Sequence, residues 1–346
     1  MLRSAIVPFL FLFAAGCAAE RDLTSEARAS GPPAPTKPAP KTRHFELHYE
    51  ATVKSAPEGS KEVKVWIPVA QDTDFQTVKV TGITAPAGHQ VNVEKTLGNK
   101  MLHVTVPASS LPLTVRVDYD VVREERRTDL AATNSSASIS ASDRDRYLAG
   151  TDLVPVGAKV TEMSGFKATR SGDPVATAHE IYDHVLAKMK YGKPENKAWG
   201  RGSTEYACTE GVGNCTDFHA YFMSLTRTNG VPSRFLMGVS LPTDKTEGEI
   251  PGYHCWAEFF ADGRGWIPVD ISEADKVADK DAAMADFYFG GLTMDRIEFT
   301  TGRDVPLVPA AAGGARNFFI YPYCEIDGKE AAKEAIARKF TFKDVK

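Results

Sequence analysis

The chain has 346 residues, 42% hydrophobic and 25% charged, enough for about two globular domains with sizeable cores. Its 41 Lys and Arg against 45 Asp and Glu leave a formal charge of −4; with no long basic run, the chain has no footprint for binding nucleic acid. A single apolar run exceeds ten residues, which excludes a multi-span membrane protein.

That run opens the chain. Arg3 precedes apolar residues 5–15, and Ala14-Ala15-Gly16 supplies small residues before Cys17, which reads as a signal peptide over residues 1–16. The placement of Cys17 resembles a bacterial lipoprotein lipobox, with Ala14 where Leu is commonest. The resemblance implies that Cys17 becomes the acylated first residue of the mature chain and anchors it to a membrane. Ala18 behind it, rather than Asp, points to the periplasmic side of an outer membrane. A plain secreted chain with an incidental Cys17 is the alternative; either compartment is extracytoplasmic and permits disulfides. Residues 17–42, rich in Ala, Pro, Ser and charge, cannot bury apolar area and read as an extended tether.

Residues 43–125 carry period-two patterns: Phe45, Leu47 and Tyr49; Val63, Val65 and Ile67; Leu113, Val115, Val117 and Tyr119. Repeated short strands without an intervening helix predict an accessory antiparallel β-sandwich. Residues 126–150, with Asn134-Ser135-Ser136 and a Ser-rich run, read as a connecting segment. Residues 151–326 form a second region of mixed character, and residues 327–346 a C-terminal helix or tail. Asp173-Pro174 opens a helix in that second region, Asp as cap and Pro at the first helical position.

The chemistry begins at Gly213-Asn214-Cys215-Thr216-Asp217. Asn214 suits an N-cap and Asp217, three residues on, completes a variant capping box. Phe218, Tyr221, Phe222 and Leu225 then mark the buried stripe of an amphipathic helix that ends at Asn229-Gly230. Cys215 is thus the first helical residue, where the positive end of the helix favours thiolate over thiol. A lone Cys as a small buried hydrophobe is the competing use.

Downstream, Tyr253-His254-Cys255-Trp256-Ala257-Glu258-Phe259-Phe260 and Arg264-Gly265-Trp266-Ile267-Pro268-Val269-Asp270 flank a turn and predict a β-hairpin. With residues 261–263 as the loop and Gly263 in the left-handed position, Phe260 faces Arg264 and His254 faces Asp270. An Asp there would fix the imidazole tautomer and stabilise its charged form. The same register puts Trp256 and Trp266 on the His254 face as walls of a site, and turns Cys255 into the packing layer. A loop one residue longer or shorter would separate His254 from Asp270.

Together these segments resemble the transglutaminase-like superfamily, a papain-related fold. The resemblance rests on Gly213-Asn214-Cys215, Gly230-Val231-Pro232-Ser233-Arg234, His254-Cys255-Trp256-Ala257-Glu258, and Gly265-Trp266 through Asp270, and covers about residues 175–275. Tyr288-Phe289-Gly290 and residues 296–306 are similar to the tail of bacterial members with an N-terminal β domain. It implies an α+β fold in which residues 151–326 place a Cys-bearing helix on an antiparallel sheet bearing His and Asp. It implies Cys215 as nucleophile, His254 as general base and acid, and Asp270 as its orienter. The reaction would be acyl transfer from a peptide or carboxamide through a thioester, ending on water or an amine, with the cell envelope as a reachable source of substrate. The oxyanion hole would use the Cys215 N–H and one further donor, with Tyr191, Trp199 and Tyr206 as candidates. The acidic sites of calcium-dependent members have no counterpart in this sequence, so neither metal nor other cofactor is expected.

Other uses of these residues compete. Zinc could recruit Cys208, Cys215, His219, His254 and Cys255, but Cys208 and Cys215 are seven apart, wider than a structural knuckle. His219 packs or bonds locally. If Cys17 is acylated and Cys215 free, Cys208, Cys255 and Cys324 allow one disulfide, Cys208–Cys324 or Cys208–Cys255. A Cys208–Cys215 bridge would silence the nucleophile. Acidic residues 243–250 read as a substrate-gating lid or as a variable surface loop. A lipid-anchored binding or scaffold protein that keeps the fold without turnover is the non-enzymatic alternative.

Overall fold

Period-two alternation resolves into two five-stranded antiparallel sheets packed face to face. A computed structural model describes residues 39–346 apart from 134, 135 and 171; the expected signal peptide, Cys17 and nearly all of the expected 17–42 tether lie outside the described residues. The first sheet runs Glu247–Ile250, Ile336–Asp344, Thr42–Val53, Leu113–Glu124, Gln76–Thr84. The second runs Lys329–Glu330, Tyr323–Ile326, Glu62–Val69, Lys100–Pro107, Gln90–Val93. Their inner faces bury Phe45, Leu47 and Tyr49 against Val63, Val65 and Ile67, each such side chain contributing about 1.5–3 kcal/mol.

Two segments depart from the sequence reading. Residues 327–346, expected as a helix or tail, hold the strand Ile336–Asp344, which pairs with Thr42–Val53 along its whole length. Ala, Lys and Glu favour helix there, but Phe340 and Phe342 alternate with polar neighbours and close the sandwich core. The acidic segment is neither a lid nor a free loop at its end: Glu247–Ile250 adds an edge strand to the same sheet, with Ile250 opposite Phe340 and Glu247 opposite Lys343. The described chain from Pro40 to Lys346 is consequently one unit, in which the β layers of residues 43–125 are completed by strands from beyond residue 240.

The cysteine-bearing part is built on a four-stranded antiparallel sheet in the order Gly265–Val269, His254–Ala261, Ser233–Ser240, Arg296–Thr301. Its strand His254–Ala261 is buried along its whole length. The helix Cys215–Thr228 covers one face, with the Phe222 and Phe259 rings 6.3 Å apart. On the other, Glu258 is held between Arg126 and Arg234, the latter donating from Nε at 2.7 Å. Gly238 stands opposite His254 at a bulge, where a Cβ would come within 1.9 Å of the Ile297 carbonyl oxygen. The fold is α+β, as the motifs imply.

Candidate active site

The helix Cys215–Thr228 begins where the local sequence requires. The Asn214 side chain accepts from the Thr216 N–H at 2.8 Å, and Asp217 accepts from the Asn214 N–H at 3.0 Å, closing the capping box. Asp217 also accepts from the Gly202 N–H at 2.8 Å, and Asn214 donates to the Gly200 carbonyl at 3.1 Å. The preceding loop is thereby clamped to the helix start. A Cβ on Gly200 would lie 2.1 Å from the Asp217 carboxylate, so only glycine passes.

Cys215 is 2% exposed and points toward the start of the strand His254–Ala261. Its thiol pKa is lowered to about 6 by the hydrogen bond from the Cys255 side chain first and the His254 imidazole second, against the opposing effect of burial. The Cys255 thiol moves the other way, raised by burial and by the Cys215 charge. Cys255 does face the packing layer, but it lies there beside Cys215, which spacing alone did not reveal.

His254 Nε2 bonds Asp270 Oδ2 at 2.7 Å, which leaves Nδ1 for Cys215. Burial alone would lower the imidazole pKa; the Asp270 carboxylate overrides it and raises the pKa to about 10. Asp270 is fully buried and caps the helix Ile271–Val277. It accepts from Arg296 Nη1 at 2.9 Å, Ser272 Oγ at 3.0 Å and the Glu273 N–H at 3.2 Å. Burial opposes its charge, but His254 and Arg296 hold its carboxyl well below the usual carboxylate range. Arg296 comes from a strand 26 residues downstream, and no pattern around it announced its contact with Asp270.

The hairpin register differs from the expected one. Ala261 pairs with Gly265 and Phe260 with Trp266, so His254 and Asp270 are diagonal neighbours rather than directly opposed. Gly265, with φ of 79°, takes the left-handed conformation as Gly263 does at 76°, so turn chemistry fitted either placement. A slip of two residues preserves the face, and the contact survives. Trp256 lies beside His254, ring centroids 6.2 Å apart, with the Arg296 guanidinium 5.1 Å from its ring. Trp266 does not wall this site: it sits at the turn end of the hairpin against Phe260, Tyr147 and Arg234.

The oxyanion candidates separate in space. Tyr191 pairs with Gly213 across a short parallel bridge and stacks near Phe218; burial and then the nearby Cys215 raise its phenol pKa. Trp199 is half exposed, 6.3 Å from Tyr191. The Tyr206 hydroxyl instead donates to the Ala198 carbonyl at 3.0 Å. Tyr253, which precedes His254 and was not singled out in the sequence, packs its ring on Phe318 and Tyr321; burial and then Cys215 push its pKa up.

His219 bridges elements. Its Nε2 accepts from the Ile271 N–H at 3.2 Å, its Nδ1 lies 3.6 Å from Cys255 Sγ, and burial lowers its pKa to about 4. A neutral imidazole thus joins the Cys215 helix to the helix capped by Asp270. Among the described residues, no cluster of three or more His, Cys, Asp and Glu could hold a metal ion. Cys208, Cys215, Cys255 and Cys324 are all free thiols, so neither sequence-compatible disulfide is formed. Cys208 meets the Tyr221 side chain, and Cys324 lies opposite Val65 in the sandwich.

Comparison with known proteins bears on the fold that carries these residues. An uncharacterized protein of Haemophilus influenzae is 27% identical over 321 residues, covering 82% of this chain and 85% of that protein. The crystal structure of a candidate cysteine protease from Cytophaga hutchinsonii superposes with a TM-score of 0.53 at 14% identity, covering 88% of this chain and 92% of that one, a likeness of fold. Residues 165–271, which hold Cys215, His254 and Asp270, match the family model of the transglutaminase-like superfamily. That segment is a transglutaminase-like domain.

Proposed function

We propose that this protein is a cysteine-dependent acyl-transfer enzyme acting on peptide or carboxamide bonds. The observation that carries the reading is a buried Cys215 at a helix N-terminus beside an imidazole held 2.7 Å from the Asp270 carboxylate. The paired shifts, Cys215 down to about 6 and His254 up to about 10, favour a thiolate–imidazolium pair at neutral pH.

In this reading the Cys215 thiolate attacks the carbonyl carbon and the carbonyl oxygen becomes an oxyanion. The Cys215 N–H, a first-turn donor with no intrahelical partner, faces that charge, and Tyr191, paired with Gly213 just before the helix, is the side-chain candidate to assist it. Imidazolium gives its proton to the departing amine, leaving a Cys215 thioester and neutral His254. Water or an amine then attacks the thioester, His254 takes the incoming proton, and the thiolate leaves. Asp270 stabilises the imidazolium throughout, and Arg296 and Ser272 hold Asp270 in place. Peptidase or amidase chemistry ranks first, transamidation second.

The enzyme would work outside the cytoplasm, anchored through acylated Cys17, on peptides or proteins of the cell envelope. Incubation with a peptide-amide library, acid quench and intact-protein mass spectrometry tests the chemistry. Wild type should carry an acyl adduct on Cys215 that Cys215→Ala lacks; no adduct and no peptide turnover would overturn the reading. Metabolic labelling with a radioactive fatty acid, lost in Cys17→Ala, tests the anchor.

A further inference from the structure

We infer that the groove beside Tyr253 is a substrate subsite selecting an acidic peptide segment, an inference that rests on the acyl-transfer reading above. The groove has a volume of about 470 Å³ and lies between residues 316–324 and the start of the strand Ile336–Asp344. Its floor is aromatic, with Phe318, Tyr321 and Tyr323, and its rim carries Arg316, Lys333 and Arg338 against the single carboxylate of Glu330.

Two observations connect this groove to the nucleophile. The Tyr253 ring packs 5.5 Å from both Phe318 and Tyr321, and the Tyr253 N–H donates to the Tyr321 hydroxyl at 3.2 Å. Tyr253 also directly precedes His254, the imidazole partner of Cys215. Tyr253 thus stands between the groove residues it packs on and the His254 of the reacting pair. A peptide whose carbonyl sits on Cys215 would pass Tyr253 and enter the groove a few residues from the reacting bond.

The charge pattern selects the occupant. Arg316 stacks 4.1 Å over Tyr323 and pairs with Glu330 at 3.4 Å, which neutralises one cation. Arg338 holds its guanidinium carbon 3.3 Å over the Tyr321 ring centroid and is exposed, and neither it nor Lys333 has a carboxylate partner among the described residues. Two uncompensated cations over an aromatic floor match a segment that alternates carboxylate with apolar side chains. A guanidinium already oriented by a ring loses less freedom on binding a carboxylate than a free one does.

The test uses fluorescein-labelled decapeptides containing Glu and Leu, and the same peptides with Gln for Glu, titrated onto the full chain carrying Cys215→Ala. Anisotropy should show the Glu peptides binding about tenfold tighter, and Arg338→Gln with Lys333→Gln should erase that difference while Arg338→Lys retains part of it. Equal affinity for Glu and Gln peptides, a difference that survives the double substitution, or no binding of either would overturn the subsite. Cleavage-site mapping on wild type separates the two ideas. Acidic peptides that bind without turnover would sink the acyl-transfer reading and leave the groove; turnover without acidic preference would do the reverse.

Discussion

Cys215, Cys255 and His254 share one proton problem at a site where all three side chains are buried. A buried thiolate survives only when donors face it, and here the first donor is another thiol. Cys255→Ala should therefore raise the Cys215 pKa, moving the midpoint of alkylation to higher pH while leaving the far-ultraviolet spectrum unchanged. An unchanged midpoint would show that His254 alone sets the thiolate. Stability carries the same information with opposite signs. The raised His254 pKa contributes stability that is complete below about 6.5 and is lost as pH rises toward about 10. The lowered Cys215 pKa contributes stability that is complete above about 8.5 and is lost as pH falls through about 6. The two slopes oppose each other between about 6.5 and 8.5. Urea midpoints of wild type should stay level there, whereas those of Cys215→Ala should fall from about pH 6.5 upward. Parallel curves for both proteins would contradict the coupling.

At the scale of elements, two junctions hold the site, and they were unequally legible in the sequence. The start of the Cys215 helix could be read outright, because Asn214 and Asp217 are local cap signals and act within one turn. The hairpin could be read in parity but not in register, since Gly263 and Gly265 both take positive φ and only packing chooses between them. Arg296 could not be read at all: its contact with Asp270 depends on how a distant strand joins the sheet. That hidden contact has consequences. Asp270→Asn would leave the guanidinium of Arg296 buried without its counter-charge, a loss of about 3–5 kcal/mol in urea unfolding. A loss under about 1 kcal/mol would show that the pair is not desolvated as described. Gly200→Ala tests the other junction. The methyl group must displace the Asp217 carboxylate, so the substitution should cost about 1–3 kcal/mol and slow Cys215 alkylation together. A stable Gly200→Ala protein with normal thiol reactivity would argue that the clamp does not position the helix.

Over the whole molecule, the sandwich and the cysteine-bearing layer are interleaved rather than strung in series. Arg43, on the first strand, pairs with Asp344 at 2.9 Å and Asp295 at 2.7 Å and donates to the carbonyls of Pro242 and Lys245. One guanidinium thus joins the two ends of the described chain to the segment before His254. Composition and alternation could announce a sandwich over residues 43–125, but not that its sheets are completed from residues 247–250 and 323–344. Such pairings are non-local, and nothing in a strand's own pattern names its partner. Deleting residues 336–346 should consequently abolish soluble folding of the cysteine-bearing part, because it strips Phe340 and Phe342 from the shared core. A soluble truncated chain with an unchanged Cys215 profile would restore the picture of independent domains.

A thiolate–imidazolium pair at Cys215 and His254 is the centre of the proposed chemistry, and the pH dependence of iodoacetamide alkylation at Cys215 tests it most directly. Wild type should alkylate with a midpoint near pH 6, and His254→Ala should move that midpoint upward by more than one unit. A wild-type midpoint at the ordinary thiol value of about 8.5, unmoved by His254→Ala, would contradict it.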